Sequence, residues 1–258
     1  MADNISTGDQ SGQFNNAPSD IGAAMIFSAG LGTRFKPWTD HHPKALAVIN
    51  GKTLLQRNIE YLQTYNIYNV VVNVHHFADQ IVDAIEKNKG WGSNVTISDE
   101  RKEVLETGGG LLKARSLLGN QTFLTINVDI LTEVNIKYFL AYHQQQNSLI
   151  SLAVSDRATS RYLLFNKYDR LCGWRNNKTG EEKIALQAKE MFEKAYSGLA
   201  LFQPDVFDLI PFSGKFSLID VYLALAHDYK IAGFDHTGEK LIDVGKPESV
   251  ALAEQMFS

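Results

Sequence analysis

The chain is short of the features that mark several large protein classes. Cys172 is its only cysteine among 258 residues, so no intrachain disulfide and no cysteine-only metal site can form. No apolar run approaches the roughly 18 residues of a transmembrane helix. Basic residues do not dominate: 25 Lys and Arg stand against 29 Asp and Glu, a formal net charge of −4. That argues against a nucleic-acid-coating surface or a polybasic membrane patch, and leaves room for a local basic pocket. Residues 1–20, rich in Asn, Ser, Gly, Gln and Asp, contain no apolar segment of the secretory type. They read as a disordered N-terminal extension. These absences together lead to the expectation of a cytoplasmic protein that engages neither nucleic acid nor membrane.

What is present is an ordinary globular composition, 44% hydrophobic and 21% charged, with length enough for a sizeable core. Apolar periodicity predicts strands at residues 23–27, 69–74, 95–98, 123–128 and 149–154. Helices are predicted at 53–65, 77–87, 110–118 and 136–145. This alternation implies an α/β fold: a Rossmann-like, mostly parallel central sheet with helices on both faces. Ligands of such sheets bind beyond the carboxyl ends of the strands. After about residue 155 the pattern changes. Residues 162–165 and 171–174 flank the turn signal "NKYDR" and predict a hairpin, and "AYSGLALF" at 195–202 reads as a strand. A helix at 217–229, a short strand in "KLIDVG" and a last helix from Pro247 complete the chain. No internal repeat and no linker stands out, so residues 21–258 are expected to form one domain with a small β elaboration.

The densest stretch is "SAGLGTRFKPWTDHHPKAL" at residues 28–46, directly after the first predicted strand. A strand followed by G-x-G lets backbone N–H groups approach an anion. Arg34 offers a fixed charge suited to bidentate phosphate contact. Pro37 and Pro43 stiffen the loop, and Lys44 adds a second cation. A tight turn with surface basic residues is the plain alternative. The stretch lacks the Gly-Lys-Ser/Thr ending of a P-loop and the third glycine of a dinucleotide fingerprint.

The stretch resembles the signature of sugar-1-phosphate nucleotidyltransferases, G-x-G-T-R-x-x-P-x-T-x-x-x-P-K-x-L, with every fixed position filled. The likeness continues through "ETGGG" (106–110), "NVD" (127–129), "YSG" (196–198) and "DVG" (243–245), and so covers residues from about 23 to the end. The resemblance implies an enzyme that joins a nucleoside triphosphate to a sugar 1-phosphate and releases pyrophosphate. It places the nucleotide phosphates on Ala29, Gly30, Gly32, Thr33 and Asn127, with Arg34 and Lys44 as catalytic cations on the leaving pyrophosphate. Gly108, Gly109 and Gly110 would let backbone lie close to the flat base, a flexible turn being the alternative. Tyr196, Ser197 and Gly198 are candidates for the sugar, though on pattern alone they are equally well strand residues.

Asp129 and Asp243 each end an apolar strand, where ligands of a parallel sheet bind. Two carboxylates from separate strands can hold one Mg²⁺, the cofactor the resemblance implies. Either Asp can instead be a turn former or a helix N-cap. Two departures from the family stand out. Val128 replaces a Gly found between Asn and Asp in many relatives. Glu193-Lys194 is followed by Ala195, where many relatives have Pro after a sugar-phosphate lysine. Arg161 is another cation for that phosphate, and Arg175 and Lys194 also fall in the segment expected to line the sugar side.

Within the family, "ETGGG" and the 13 residues left after Gly245, too few for an appended β-helical domain, resemble a branch using UTP and N-acetylmuramic acid 1-phosphate. The alternatives are guanylyl transfer to mannose 1-phosphate, and a non-catalytic module that senses an NDP-sugar. Arg34, Lys44, Asp129 and Asp243 together speak against a pure sensor. A glycosyltransferase on a related fold would carry Asp-x-Asp near residue 129, and none occurs there. The sequence leaves the oligomeric state open.

Overall fold

A computed structural model describes residues 20–257, so the expectation for residues 1–20 falls, Asp20 apart, outside the described residues. The first half runs β1 (Ala23–Phe27), β2 (Val48–Ile49), β3 (Lys52–Thr53), α1 (Leu54–Gln63), β4 (Asn69–Val74), α2 (Ala78–Lys87) and β5 (Asn94–Asp99). It continues with α3 (Glu106–Lys113), α4 (Arg115–Leu118), β6 (Phe123–Asn127), β7 (Ile130–Thr132), α5 (Ile136–Gln146) and β8 (Ile150–Ser155). The second half holds β9 (Arg161–Phe165), β10 (Leu171–Asn176), β11 (Glu181–Ile184), β12 (Phe192–Phe202), α6 (Val206–Leu209), α7 (Leu218–Leu225), β13 (Ile231–Asp235), β14 (Leu241–Asp243) and α8 (Ser249–Met256).

The central sheet has the order β5-β4-β1-β6-β12-β8-β13. β12 pairs antiparallel with both β6 and β8, while β1–β4, β1–β6, β4–β5 and β8–β13 are parallel. Six of these seven strands therefore point the same way, and their carboxyl ends form one edge. The first three residues of β12, Phe192–Lys194, pair instead with β9, extending the sheet through β10 to β11.

Side-chain alternation along the strands divides the core in two. Ala24, Ile26, Val70, Val72, Leu124 and Leu201 face α1, α2, α5 and α8. Ala23, Met25, Val71, Phe123, Ala200 and Phe202 face α3, α4, α6 and α7. Each fully buried Leu or Ile contributes about 1.5–3 kcal/mol. The predicted amphipathic stripe of α1 is realised, with Leu54, Leu55, Ile59 and Leu62 all at 0% exposure. Its start is fixed by Thr53, whose hydroxyl accepts from Gln56 N at 3.1 Å. Among the described residues no helix is long and apolar enough to cross a membrane.

Helix α3 begins at Glu106, four residues before the predicted start at Gly110. Three consecutive glycines oppose a helix by propensity, and tertiary packing overrides them. The backbone N–H groups of Gly108 and Gly109 both donate to Phe216 O, at 2.9 and 3.2 Å. A Cβ on Gly108 would stand 2.4 Å from the Phe216 ring, and one on Gly109 would stand 2.2 Å from Gly214 O. The segment before α7 therefore lies directly on the triglycine. It is held there by the Ser217–Asp220 capping box and by Leu218 N donating to Thr107 Oγ1 at 3.0 Å.

Candidate active site

The loop after β1 is tied down at both ends. Asn73, at the carboxyl end of β4, accepts from Ser28 N at 2.7 Å and from Ala29 N at 3.3 Å through Oδ1, while its carbonyl accepts from the Ser28 hydroxyl. Gly32 turns the chain with φ 61°, and its carbonyl accepts from Phe35 N at 2.8 Å and Thr39 Oγ1 at 2.9 Å. A Cβ on Gly32 would meet Thr39 Cγ2 at 2.9 Å, so both conformation and space demand glycine. Thr33–Phe35 then forms a 3-10 turn that buries Phe35 and leaves Arg34 on the open side.

Asp129 and Asp243 are brought together by a pairing the sequence did not reveal. β7, directly after Asp129, pairs antiparallel with β14, placing Asp243 opposite Ile130. Val244 N donates to Asp129 O at 2.8 Å and locks the two acidic positions side by side. Lys44 Nζ lies 2.5 Å from Asp129 Oδ2, with side-chain exposures of 10% and 20%, so this pair is largely withdrawn from water. Asp243 Oδ1 is buried and has no hydrogen-bond partner among the described residues. Burial and then the Asp129 charge push the Asp243 pKa up, against Lys44, Arg34 and Arg157. Two adjacent oxygen donors, one of them an orphaned buried carboxylate oxygen, suit a hard divalent cation. No cluster of three or more His, Cys, Asp or Glu occurs among the described residues. Further ligands would have to come from water or substrate phosphate, as is usual for Mg²⁺.

Gly245 closes this corner. A Cβ there would lie 2.7 Å from Asp243 Oδ1 and 3.1 Å from Arg34 Nη2. The guanidinium and the carboxylate thus approach one another across a bare backbone. Val128, at the departure from the family pattern, is buried in the core. Its carbonyl accepts from Asn58 Nδ2 at 3.0 Å, so the substitution leaves Asp129 in place.

Two cavities of about 280 Å³ each meet at Phe27, Gly30 and Thr107. One is lined by Arg34, Lys44, Asn127, Asp129 and Gly245. The other, more apolar, is lined by Ala29, Asn73, Glu100, Val104 and Glu106. A basic cavity beside an apolar one fits a phosphate chain attached to a flat ring. Gly108, Gly109 and Gly110 do not line either cavity; Glu106 and Thr107, just before them, do. The triglycine acts one layer back: a Cβ on Gly110 would sit 2.7 Å from Glu100 Oε1. Glu100 in turn accepts from Asn73 Nδ2 at 2.7 Å and Leu105 N at 3.2 Å.

The sugar-side candidates are dispersed. Ser197 is fully buried and its hydroxyl pairs with His236 Nε2 at 2.7 Å. The Tyr196 hydroxyl is enclosed beside Tyr222 and Thr125, where burial pushes its pKa up to about 12. The expectation of a sugar contact from Ser197 is therefore corrected, since its side chain lies in the core, while Tyr196 has its hydroxyl enclosed and the rest of its side chain half-buried. Gly198, at φ 79°, lies against Asn127 and Ile130, where a Cβ would come within 3.1 and 2.7 Å. Lys194 is held by Asp156 and Asp235, both at 2.5 Å, and Arg175 by Glu182 and Glu193. Arg161 opens β9 with an exposed side chain. Sequence reasoning passed over Asn73, Glu100 and Arg157. The signal was the one used for Asp129, a polar residue at the carboxyl end of a predicted parallel strand.

Residues 23–256 match the family model described as nucleotidyl transferase. An N-acetylmuramate alpha-1-phosphate uridylyltransferase from Caulobacter vibrioides is 30% identical over 241 residues, covering 90% of this chain and 95% of that protein. A protein of the same name from Neisseria meningitidis is 29% identical, covering 86% of this chain and 92% of its own length. Among solved structures, HddC from Yersinia pseudotuberculosis superposes with a TM-score of 0.76 at 24% identity, over 92% of this chain and all of that one. That last likeness shows the fold.

Proposed function

The chain belongs to the nucleotidyl transferase family, and from that premise we propose that it makes a UDP-sugar from UTP and N-acetylmuramic acid 1-phosphate. The observation that carries the transfer chemistry is the single corner where Arg34, Lys44, Asp129, Asp243 and Gly245 meet beside an apolar cavity. The names of the two relatives from Caulobacter vibrioides and Neisseria meningitidis support the choice of substrates.

An oxygen of the sugar phosphate attacks the α-phosphorus of UTP and forms a new P–O bond. The bond between the α-phosphorus and the oxygen bridging to the β-phosphorus breaks, and its electron pair leaves with pyrophosphate. The attacking oxygen is already ionised at neutral pH, so no protein nucleophile or base is required. Catalysis is positioning and charge stabilisation. The backbone of Gly30–Gly32 takes the phosphates, and Arg34 stabilises charge growing on the leaving group. Asp129 and Asp243 would hold a divalent cation, Mg²⁺ by its preference for oxygen, and when bound it supplies charge neutralisation at the α-phosphate. Lys44 fixes Asp129, and the apolar cavity takes the base.

Pyrophosphate release should be compared for UTP and GTP, each with N-acetylmuramic acid 1-phosphate, N-acetylglucosamine 1-phosphate and mannose 1-phosphate. The expected result is the highest kcat/KM for UTP with N-acetylmuramic acid 1-phosphate. A preference for GTP with mannose 1-phosphate would replace both substrate assignments. Equal rates for the two N-acetyl sugars would show that no residue reads the lactyl group.

A further inference from the structure

Arg157 differs from Lys194 and Arg175 in its lack of a carboxylate among the described residues, and from the exposed Arg161 in being half-buried. Lys194 and Arg175 are each neutralised by two carboxylates. Arg157 has no ion pair among the described residues, although it is half-buried. Its one hydrogen bond runs from Nη2 to Tyr196 O, at 2.7 Å, and its Nε is buried without a partner. A partly desolvated guanidinium with an unused donor is costly unless it receives an anion. The carbonyl it holds lies two residues before Gly198, whose bare face stands against Asn127 on the wall of the basic cavity.

The order of the sheet says which anion. Along the carboxyl edge, β1 carries the Gly30–Arg34 loop and β6 leads into Asp129. β8, two strands beyond β6 and on the side away from β1, leads into Arg157. The acidic pair therefore separates Arg157 from the phosphate loop. In-line displacement at phosphorus puts the attacking and leaving oxygens on opposite sides of the reacting atom. With Arg34 on the side of the leaving pyrophosphate, the attacking phosphate approaches from the β8 side.

We propose that the guanidinium of Arg157 receives the 1-phosphate of the acceptor sugar, donating to oxygens other than the attacking one. This rests on the nucleotidyl-transfer function proposed above and adds the residue that grips the second substrate. A purely structural role competes with it. The β8–β12 register shifts between Tyr196 and Ala200, and Arg157 caps the Tyr196 carbonyl beside that irregularity. Such a latch explains Nη2 and leaves the guanidinium charge without a counter-charge among the described residues.

The test is steady-state kinetics of Arg157→Gln and Arg157→Lys, with calorimetric binding of the nucleoside triphosphate and thermal melting alongside. Arg157→Gln should raise KM for the sugar 1-phosphate about ten- to a hundredfold, the usual worth of a charge-assisted contact. Affinity for the nucleoside triphosphate should stay within about twofold, since the β1 loop is untouched. Arg157→Lys should recover part of the loss, as a point charge without the guanidinium fork. An unchanged KM for the sugar phosphate in Arg157→Gln overturns the proposal. So does a lowered melting temperature with equal losses in both substrates, which is the signature of a latch. Should Arg157→Gln fail to fold, Arg157→Lys decides: its KM for the sugar phosphate must rise several-fold at constant nucleotide affinity, or the assignment is wrong. Wild-type turnover separates the two levels. With none on any substrate pair, nucleotidyl transfer itself falls; with turnover but no change in Arg157→Gln, only the Arg157 assignment falls.

Discussion

Gly245→Ala offers a sharp perturbation of the acidic corner because it adds one methyl group between two functional side chains. Gly245 is buried and its φ lies outside the left-handed region, so alanine is compatible with its backbone. The added Cβ would stand 2.7 Å from Asp243 Oδ1 and 3.1 Å from Arg34 Nη2, where ordinary contacts begin at 3.4 Å. Restoring 3.4 Å from 2.7 Å withdraws the carboxylate by about 0.7 Å, and restoring it from 3.1 Å moves the guanidinium by about 0.3 Å. A displacement of about 1 Å at reacting groups costs on the order of 10² in rate. The expected result is therefore a fall in kcat of about 10- to 100-fold. Binding of the nucleoside triphosphate without metal should change little, because the Gly30–Thr33 backbone is untouched. The melting temperature should move by only a few degrees, since alanine's gain in the unfolded state offsets part of the crowding. The assays are continuous pyrophosphate release and differential scanning calorimetry. Wild-type kcat in Gly245→Ala would refute the placement of Asp243 and Arg34 at the reacting phosphate. A large drop in melting temperature would refute the premise that the site alone is perturbed.

Asp129→Asn and Asp243→Asn should each lower kcat by about 10²–10³, and the double variant should be little worse, because groups acting as one unit are non-additive; multiplicative losses would separate them. Since burial and the Asp129 charge raise the Asp243 pKa, the folded chain holds that proton more tightly than the unfolded chain. Metal-free stability should then fall as pH rises from the ordinary Asp value, near 3.9, through the raised one, and urea midpoints against pH should show this slope in the wild type and a smaller one in Asp243→Asn. Gly30 and Gly32 should respond in opposite ways. A Cβ on Gly30 meets nothing within 4 Å, so Gly30→Ala should keep the melting temperature and weaken nucleotide binding from within the cavity. Gly32→Ala, at φ 61° and against Thr39, should lower stability by about 1 kcal/mol or more in chemical denaturation.

Local sequence was enough to lay out the alternation of strands and helices. Alternating apolar runs are a local consequence of burying both faces of a sheet, so β1, β4, β6 and α1 were legible to within a residue or two. The loop proposed to take the phosphates was legible because Gly32, Thr33, Arg34 and Lys44 fall within one short segment, where spacing along the chain is spacing in space. Asp129 and Asp243 were also visible, each as an acid ending an apolar strand. Their adjacency was expected only through the family resemblance, because the β7–β14 pairing that produces it spans more than a hundred residues of intervening chain.

Tertiary structure likewise decided the role of the triglycine, whose bare faces are filled by Phe216 and Gly214 from before α7. It enclosed the Tyr196 and Ser197 hydroxyls, the first beside Tyr222 and Thr125 and the second against His236. It also separated Arg157 from cations expected from the sequence to line the sugar side. Lys194, Arg175 and Arg157 look alike in sequence. Only the folded chain shows that the first two already have carboxylates and that Arg157, at the end of β8, has none among the described residues. Charge is a property of the residue, whereas an unneutralised charge is a property of its neighbours, and those neighbours are assembled by long-range pairing.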